Sequence, residues 1–357
     1  KFPDKPFFVD GEMVGLSIEG TFIGHHIMVP KAGVAVHINA FNFPIWGMLE
    51  KLAVNWLAGM PAVVKPAEQT SYLTQAMVKD IIASGILPEG ALQLVCGSGI
   101  GILDTVTAQD VVTFTGSAET GRKLKSMPHI IDEAVTFNME ADSLNCSVLG
   151  PDATPDTEEF KLFIKEVHRE MTVKCGQKCT AIRRVIVPEN LVEAVQLALS
   201  ARLQKTTIGA PDAEGVRMGS LASHEQLEEV LKSAHRLAEE SELVYGSFER
   251  NFEVLGADVN KGAFMAPMLF LNDQPFQKQQ VHHIEAFGPI STLMPYKTLE
   301  EAIELANMGK GSLVSSIATF DDGVAQDYVL GAATHHGRIL VLNRESAPES
   351  TGHGSPL

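Results

Sequence analysis

The stretch "DVVTFTGSAETGRKLKS", residues 110–126, decides the fold. Residues 110–116 form a short apolar run rich in β-branched side chains, the mark of a buried strand. Gly116-Ser117 follows, and 118–126 carries a helical pattern. A strand that passes through a glycine turn directly into a helix is half of a βαβ unit. The same grammar runs upstream. "GVAVHI" (33–38), "PAVVKP" (61–66) and "ALQLVCG" (91–97) read as buried strands, and 45–58, 69–84 and 100–107 carry helical patterns. Gly59 and Gly85 stand where helix C-caps are expected. Strands alternating with helices predict an α/β fold built on parallel, doubly wound sheet.

The second half repeats this pattern. Thr154-Pro155 reads as a helix N-cap followed by proline at the first helical position, with acids at 156, 158 and 159. Apolar residues at 160, 163, 164, 167 and 171 then lie on one helical face. Further strands are expected at "RRVIVP" (183–188), "APMLFL" (266–271), "SLVSSIATF" (312–320) and "GRILVL" (337–342). With 357 residues the chain is long for one core, so two domains are expected, with a change near 140–150. The first 30 or so residues read as an extended arm.

The net charge of −16, from 44 acids against 28 bases, excludes the basic footprint that nucleic acid binding needs and disfavours an anionic membrane surface. The charge-free run from Ala32 to Leu49 contains His37, Asn39, Asn42 and Pro44, so no membrane span is expected there. No signal peptide is visible. Four scattered cysteines suggest a reducing, cytoplasmic setting. The chain opens on Lys and closes on "GHGSPL", which reads as a piece of something longer.

Six stretches can carry chemistry. In "TVKCGQKCTAIRR" (172–184), Cys175 and Cys179 lack the further soft ligands that a metal site requires, so no metal is expected. They also lack the C-x-x-C spacing of a redox pair. A cysteine is by default a small buried hydrophobe. Cys179, however, sits past a helix end in a glycine-loosened turn, where its N–H can face outward, as suits a nucleophile that is also an oxyanion donor. Lys174, Lys178, Arg183 and Arg184 would favour thiolate if they point inward. In "INAFNFPIWG" (38–47), Asn42 either offers its amide to developing negative charge or caps a helix beginning near Pro44. Gly116-Ser117 opens a helix where a diphosphate could sit. Lys65 and Glu68 follow a strand and either hold ribose hydroxyls or form a solvated charge pair. Glu140, in an otherwise uncharged run, is a candidate general base, its carboxyl expected to be raised by apolar neighbours. Glu285 stands before Ala-Phe-Gly-Pro in a similar way.

Together "FNFP", "VVKPAE", "TFTGSAETG", "MEADS", "GQKCTA" and "EAFGPI" resemble the aldehyde dehydrogenase superfamily, in one order across nearly the whole chain. The resemblance implies NAD- or NADP-dependent oxidation of an aldehyde to an acid through a cysteine thioester. Cys179 would be the nucleophile, Glu140 the base that activates water, and Asn42 an oxyanion donor. Lys65 and Glu68 would hold the adenosine ribose, Gly116 and Ser117 would meet the diphosphate, and Glu285 with Phe287 would meet the nicotinamide end. It also implies an interdomain and oligomerisation arm over 1–34, a cofactor domain over 35–141, a catalytic domain over 142–337 and a return segment over 338–357, in a homo-oligomer (a dimer or an assembly of dimers). "HINAFNFPIWGMLEKLA", "EADSLNCSVLG", "REMTVKCGQKCTAIRR" and "ESTGHGSPL" resemble the branch that oxidises CoA-linked semialdehydes in aromatic degradation. "LNRESAPESTGHGSPL" follows the phenylacetate pattern more closely than the benzoate one. A CoA-acylating relative and an inactive, scaffold-like copy are the alternatives. One departure stands out: the family's usual "ELGG" around the base is here "MEAD".

Overall fold

The computed structural model describes residues 7–99 and 101–354. The start of the expected arm (1–6), Ile100 at the head of the pattern expected over 100–107 and the last three residues of "GHGSPL" lie outside the described residues. The chain forms two compact units, Lys1–Asp142 and Ser143–Leu357.

The first unit opens with an antiparallel pair, β1 (Phe8–Gly15) and β2 (Ile23–Met28). It continues with β3 (Ala35–Ile38), α1 (Trp46–Leu57), β4 (Ala62–Lys65), α2 (Ser71–Ala83), β5 (Leu92–Leu94), β6 (Val111–Gly116), α3 (Ala118–Lys125), α4 (Pro128–Asp132) and β7 (Thr136–Ala141). The sheet is parallel throughout, in the order β5-β4-β3-β6-β7. Neighbouring residues of β3 enter different cores. Ala35 packs with Met48, Leu52 and Val78, and Val36 with Leu103, Val106 and Ile130. A strand covered on both faces must be apolar at successive positions, which is why these strands read as unbroken runs.

The second unit contains β8 (Cys146–Leu149), α5 (Glu158–Thr172), β9 (Arg184–Pro188), α6 (Val192–Leu203), α7 (His224–Ala238), β10 (Glu242–Tyr245), β11 (Met268–Leu271), β12 (Ile290–Tyr296), α8 (Leu299–Asn307), β13 (Ser315–Ala318), α9 (Asp322–Ala332) and β14 (Ile339–Leu342). Its sheet runs β10-β11-β12-β9-β8-β13-β14, parallel except for the antiparallel edge strand β10. Val185 and Val187 of β9 pack with the buried face of α5, including Phe160, Phe163, Ile164, Val167 and Met171. Ile186, between them, packs with Ala302, Leu305 and Tyr328 of α8 and α9.

Two local expectations are corrected. Within the pattern at 100–107, residues 101–105 form turns rather than a helix. Gly101 is left-handed at φ 83°, and a segment this short and glycine-led does not nucleate a helix. The helix expected to start at Thr154-Pro155 starts three residues later. Thr157 is the N-cap, accepting from the Phe160 N–H at 3.3 Å and donating to the Thr154 carbonyl at 2.7 Å. The helix expected near Pro44, over 45–58, runs from Trp46 to Leu57 with Ile45 at its N-cap. Gly59 is left-handed at φ 78° just past α1, where any Cβ would strike the Pro30 ring.

Candidate active site

In the first unit the sheet order reverses at β3, between β4 on one side and β6 on the other. In open parallel sheets the crevice at the carboxyl ends beside such a reversal is where ligands bind. The loop holding Asn42 leaves β3, Lys65 ends β4 with Glu68 just beyond it, and Gly116-Ser117 ends β6. Ser117 is the N-cap of α3 and accepts from the Thr120 N–H at 3.3 Å. The Ala118 N–H donates to Asp142 Oδ1 at 2.9 Å. Asp142 is left-handed at φ 43°, a conformation its short polar side chain tolerates. The strand-end placement and the helix N-terminus fit a dinucleotide.

Glu140 lies on β7 directly across from Thr115 of β6. Side chains of paired residues share a face, and Lys51 of α1 reaches that face. Its Nζ donates to Thr115 Oγ1 at 2.7 Å and to Asn39 Oδ1 at 2.8 Å. Burial raises the Glu140 carboxyl above its ordinary value, while the Lys51 charge pulls it down and Glu50 pushes it up. Burial lowers Lys51, and Glu140 and Glu50 oppose that. Asn55, one turn beyond Lys51, bonds His37 Nε2 at 2.6 Å. Helix spacing i, i+4 thus meets strand spacing i, i+2 in two polar pairs. Burial, then Lys51, lowers His37 to about 4, so it is neutral at physiological pH. Sequence reasoning missed Lys51. The signal was available: His37 in β3 and Asn39 just past it are polar residues two apart in an otherwise apolar run.

In the second unit α5 runs into a 3₁₀ turn, Val173–Gly176, in which Lys174, Cys175 and Gly176 are all left-handed at φ 54°, 54° and 68°. The chain then passes through Cys179 to β9. Five carbonyls of this turn accept from side chains. Arg183 Nη2 donates to Gly176 at 2.9 Å and to Lys178 at 3.3 Å. Asn145 Nδ2 donates to Cys179 at 2.8 Å and to Ala181 at 3.0 Å. His353 Nδ1 stands 2.9 Å from the Thr180 carbonyl. A trans peptide points its C=O and the next N–H in opposite directions. With the Lys178 carbonyl drawn to buried Arg183, the Cys179 N–H faces the other way.

The electropositive neighbourhood expected of four basic residues is smaller than the sequence suggested. Both oxygens of Glu170 accept from Lys178, at 2.7 and 2.8 Å. Arg184 is fully buried and donates to Leu144, Leu305 and Ala306 carbonyls, the last two in the final turn of α8. Lys174 and Arg183 remain as the charges that Cys179 acts on. Cys175 is fully buried among apolar side chains, and its thiol is pushed up to about 12 by burial. Glu285, its side chain 7% exposed, accepts from Arg183 Nε at 3.3 Å and from the Ser143 N–H at 3.0 Å. Phe287 lies under the Arg183 guanidinium, 5.3 Å from its ring centroid.

The chain belongs to the aldehyde dehydrogenase family, an oxidoreductase family whose model matches residues 10–349. It is 44% identical over 348 residues to the 3,4-dehydroadipyl-CoA semialdehyde dehydrogenase of Aromatoleum evansii, covering 98% of this chain and 67% of that protein. Among solved structures it resembles the betaine aldehyde dehydrogenase of Staphylococcus aureus in complex with NAD+, with TM-score 0.81 and 25% identity, over 93% of this chain and 63% of that one. The fold also matches the succinic semialdehyde dehydrogenase of Streptococcus pyogenes in complex with NADP+, with TM-score 0.76 and 21% identity, over 89% of this chain and 66% of that one. The chain thus spans about two thirds of the length of these relatives.

Proposed function

We propose that this chain oxidises a CoA-linked semialdehyde to the carboxylic acid with NAD or NADP. The observation that carries the reading is the Cys179 turn, whose carbonyls are gripped so that the Cys179 N–H faces away from Arg183. In this reading the Cys179 thiolate adds to the aldehyde carbon. The Cys179 N–H and the Asn42 amide donate to the oxyanion, each contributing on the order of 3 kcal/mol when well placed. Lys65, Glu68, Gly116 and Ser117 would hold the adenosine and diphosphate parts of the cofactor, and Glu285 and Phe287 its nicotinamide end. When bound, the nicotinamide supplies the hydride acceptor. Glu140 takes a proton from the water that hydrolyses the Cys179 thioester, and its raised carboxyl suits that task.

For the substrate, the 44% relative supports 3,4-dehydroadipyl-CoA semialdehyde. The phenylacetate-derived 3-oxo-5,6-dehydrosuberyl-CoA semialdehyde, the first expectation from the closing residues, becomes the second reading. The test is steady-state oxidation of both compounds with product analysis. Free acid supports the reading, whereas an acyl group passed to added CoA marks an acylating enzyme and overturns it.

We also assign the β1–β2 hairpin to a homo-oligomer contact. It exposes Phe8, Val9, Met13, Val14, Ile23, Ile27 and Met28, the kind of apolar edge that soluble proteins cover.

A further inference from the structure

Arg183 is given no catalytic or cofactor role above, yet its side chain makes four hydrogen bonds around the Cys179 turn. It is 5% exposed. Its Nη2 holds the carbonyls of Gly176 and Lys178, its Nη1 donates to the Gly288 carbonyl at 2.8 Å, and its Nε reaches Glu285 at 3.3 Å. Its flat face lies over Phe287. One planar fork thus joins both sides of the thiol turn to the 285–288 segment. Only a guanidinium offers that many donors in fixed directions, because an ammonium is a point charge on a flexible stem.

The peptide between Lys178 and Cys179 is the critical one. Its oxygen accepts from Arg183 and, at 3.1 Å, from the Ala181 N–H. Without the arginine the Lys178 oxygen keeps the Ala181 N–H. The left-handed run at Lys174 and Cys175 is also sterically costly for L-residues, so the turn has reason to relax when its clamp is removed.

We propose that Arg183 is a positioning residue for the reaction: by clamping the carbonyls of Gly176 and Lys178 it aims the Cys179 N–H at the developing oxyanion. This rests on the reading of Cys179 as nucleophile and oxyanion donor. It separates two properties of the turn. Thiol reactivity toward an alkylating agent needs no oxyanion hole, whereas aldehyde oxidation does. Among the charged groups around Cys179, Lys174 and Arg183 feel its charge, Lys178 is held by Glu170 and Arg183 by Glu285.

The test uses R183K, which keeps the charge and loses the fork. Three quantities are measured: kcat and KM for aldehyde oxidation, the pH dependence of Cys179 alkylation by iodoacetamide read by peptide mass spectrometry, and thermal melting. The expected result is a kcat lowered about 10- to 100-fold, KM within about twofold, and an alkylation profile superimposable on the parent's. Unchanged kcat overturns the proposal. So does a loss of alkylation that parallels the loss of kcat, which is the behaviour of a merely structural residue. If R183K does not melt cooperatively, R183M/E285Q, which strands no buried charge, takes its place with E285Q as the control. A kcat no lower than that of E285Q then overturns the proposal. Failure of the functional reading is seen separately, as aldehyde turnover that survives in C179A.

Discussion

Glu170 holds the Lys178 ammonium through both carboxylate oxygens, at 2.7 and 2.8 Å, one residue before the proposed nucleophile. The pair is nearly buried, with Lys178 11% and Glu170 1% exposed at the side chain. A lysine adjacent to Cys179 in sequence therefore has its charge balanced within its own ion pair. Cys179 bears on Lys174 and Arg183, the latter itself paired with Glu285.

The first prediction concerns which cysteine reacts. Cys175 is fully buried and its thiol is pushed up to about 12 by burial, so at neutral pH it is protonated and shielded. Brief treatment with iodoacetamide at pH 7.5 is expected to modify Cys179 and leave Cys175 intact, as read by peptide mass spectrometry. C179A should abolish aldehyde oxidation, and C175A should retain it. Loss of activity on modification of Cys175 alone would refute the division of roles.

A second prediction separates the two half-reactions. With Glu140→Gln the thioester should form and then persist. Rapid mixing is expected to show a burst of reduced cofactor close to one equivalent per site, followed by turnover slowed at least about 100-fold. Steady-state rates equal to the parent's would remove Glu140 from the role of base.

Lys51 offers a third test, because its charge holds the Glu140 carboxyl down against burial. Removing it in K51M is expected to raise the acid limb of the kcat profile. The direction is fixed: a carboxylate that loses a cationic neighbour binds its proton more tightly. An acid limb that stays in place would mean that another group governs it.

How far these residues could be read from the sequence depends on the distance between partners. The strand–turn–helix of β6 and α3 was legible because a two-faced apolar run and a helical pattern are both local. So was the buried face of α5, whose five expected apolar positions all enter one core. Helix starts were less legible, because Thr154 and Thr157 are equally good caps in isolation and only the hydrogen bonding of the folded turn chooses between them. Arg183 was visible as a charge but not as a clamp, since its partners Glu285, Phe287 and Gly288 lie about a hundred residues downstream. Lys51 stayed hidden because Thr115 and Asn39, which hold it, come from β6 and from just past β3.

Stability should depend on pH in a window set by buried histidines. His37, His282 and His336 are each lowered to about 4, first by burial. Their folded values lie below the unfolded one near 6.5, so between these limits the unfolded chain binds more protons. Their contribution is complete above about pH 6.5 and is lost as pH falls toward 4, on the order of 2–3 kcal/mol for each fully neutral ring. Thermal melts from pH 7.5 to 4.5 are expected to show a Tm that declines across this window, and a smaller slope in H37Q. A Tm independent of pH over that range would contradict the assignment.

Cofactor choice gives a further test. Glu68, exposed just beyond β4, would set negative charge near a 2′-phosphate, and Lys65 partly offsets it. E68Q is expected to raise the ratio of kcat/KM for NADP over NAD by about tenfold. Side-by-side initial rates measure it, and an unchanged ratio would move Glu68 out of the ribose site.

The left-handed run of Lys174, Cys175 and Gly176 also bears on engineering. At Gly176 a methyl group would collide with the Gly288 carbonyl, and the neighbouring peptides are held by Asn145, Arg183 and His353, drawn from three separate parts of the chain. The segment carrying Cys179 is therefore not a portable cassette. Transplanted as a linear peptide, or grafted onto another scaffold without those three anchors, it would keep its thiol but lose the shape that makes the thiol useful.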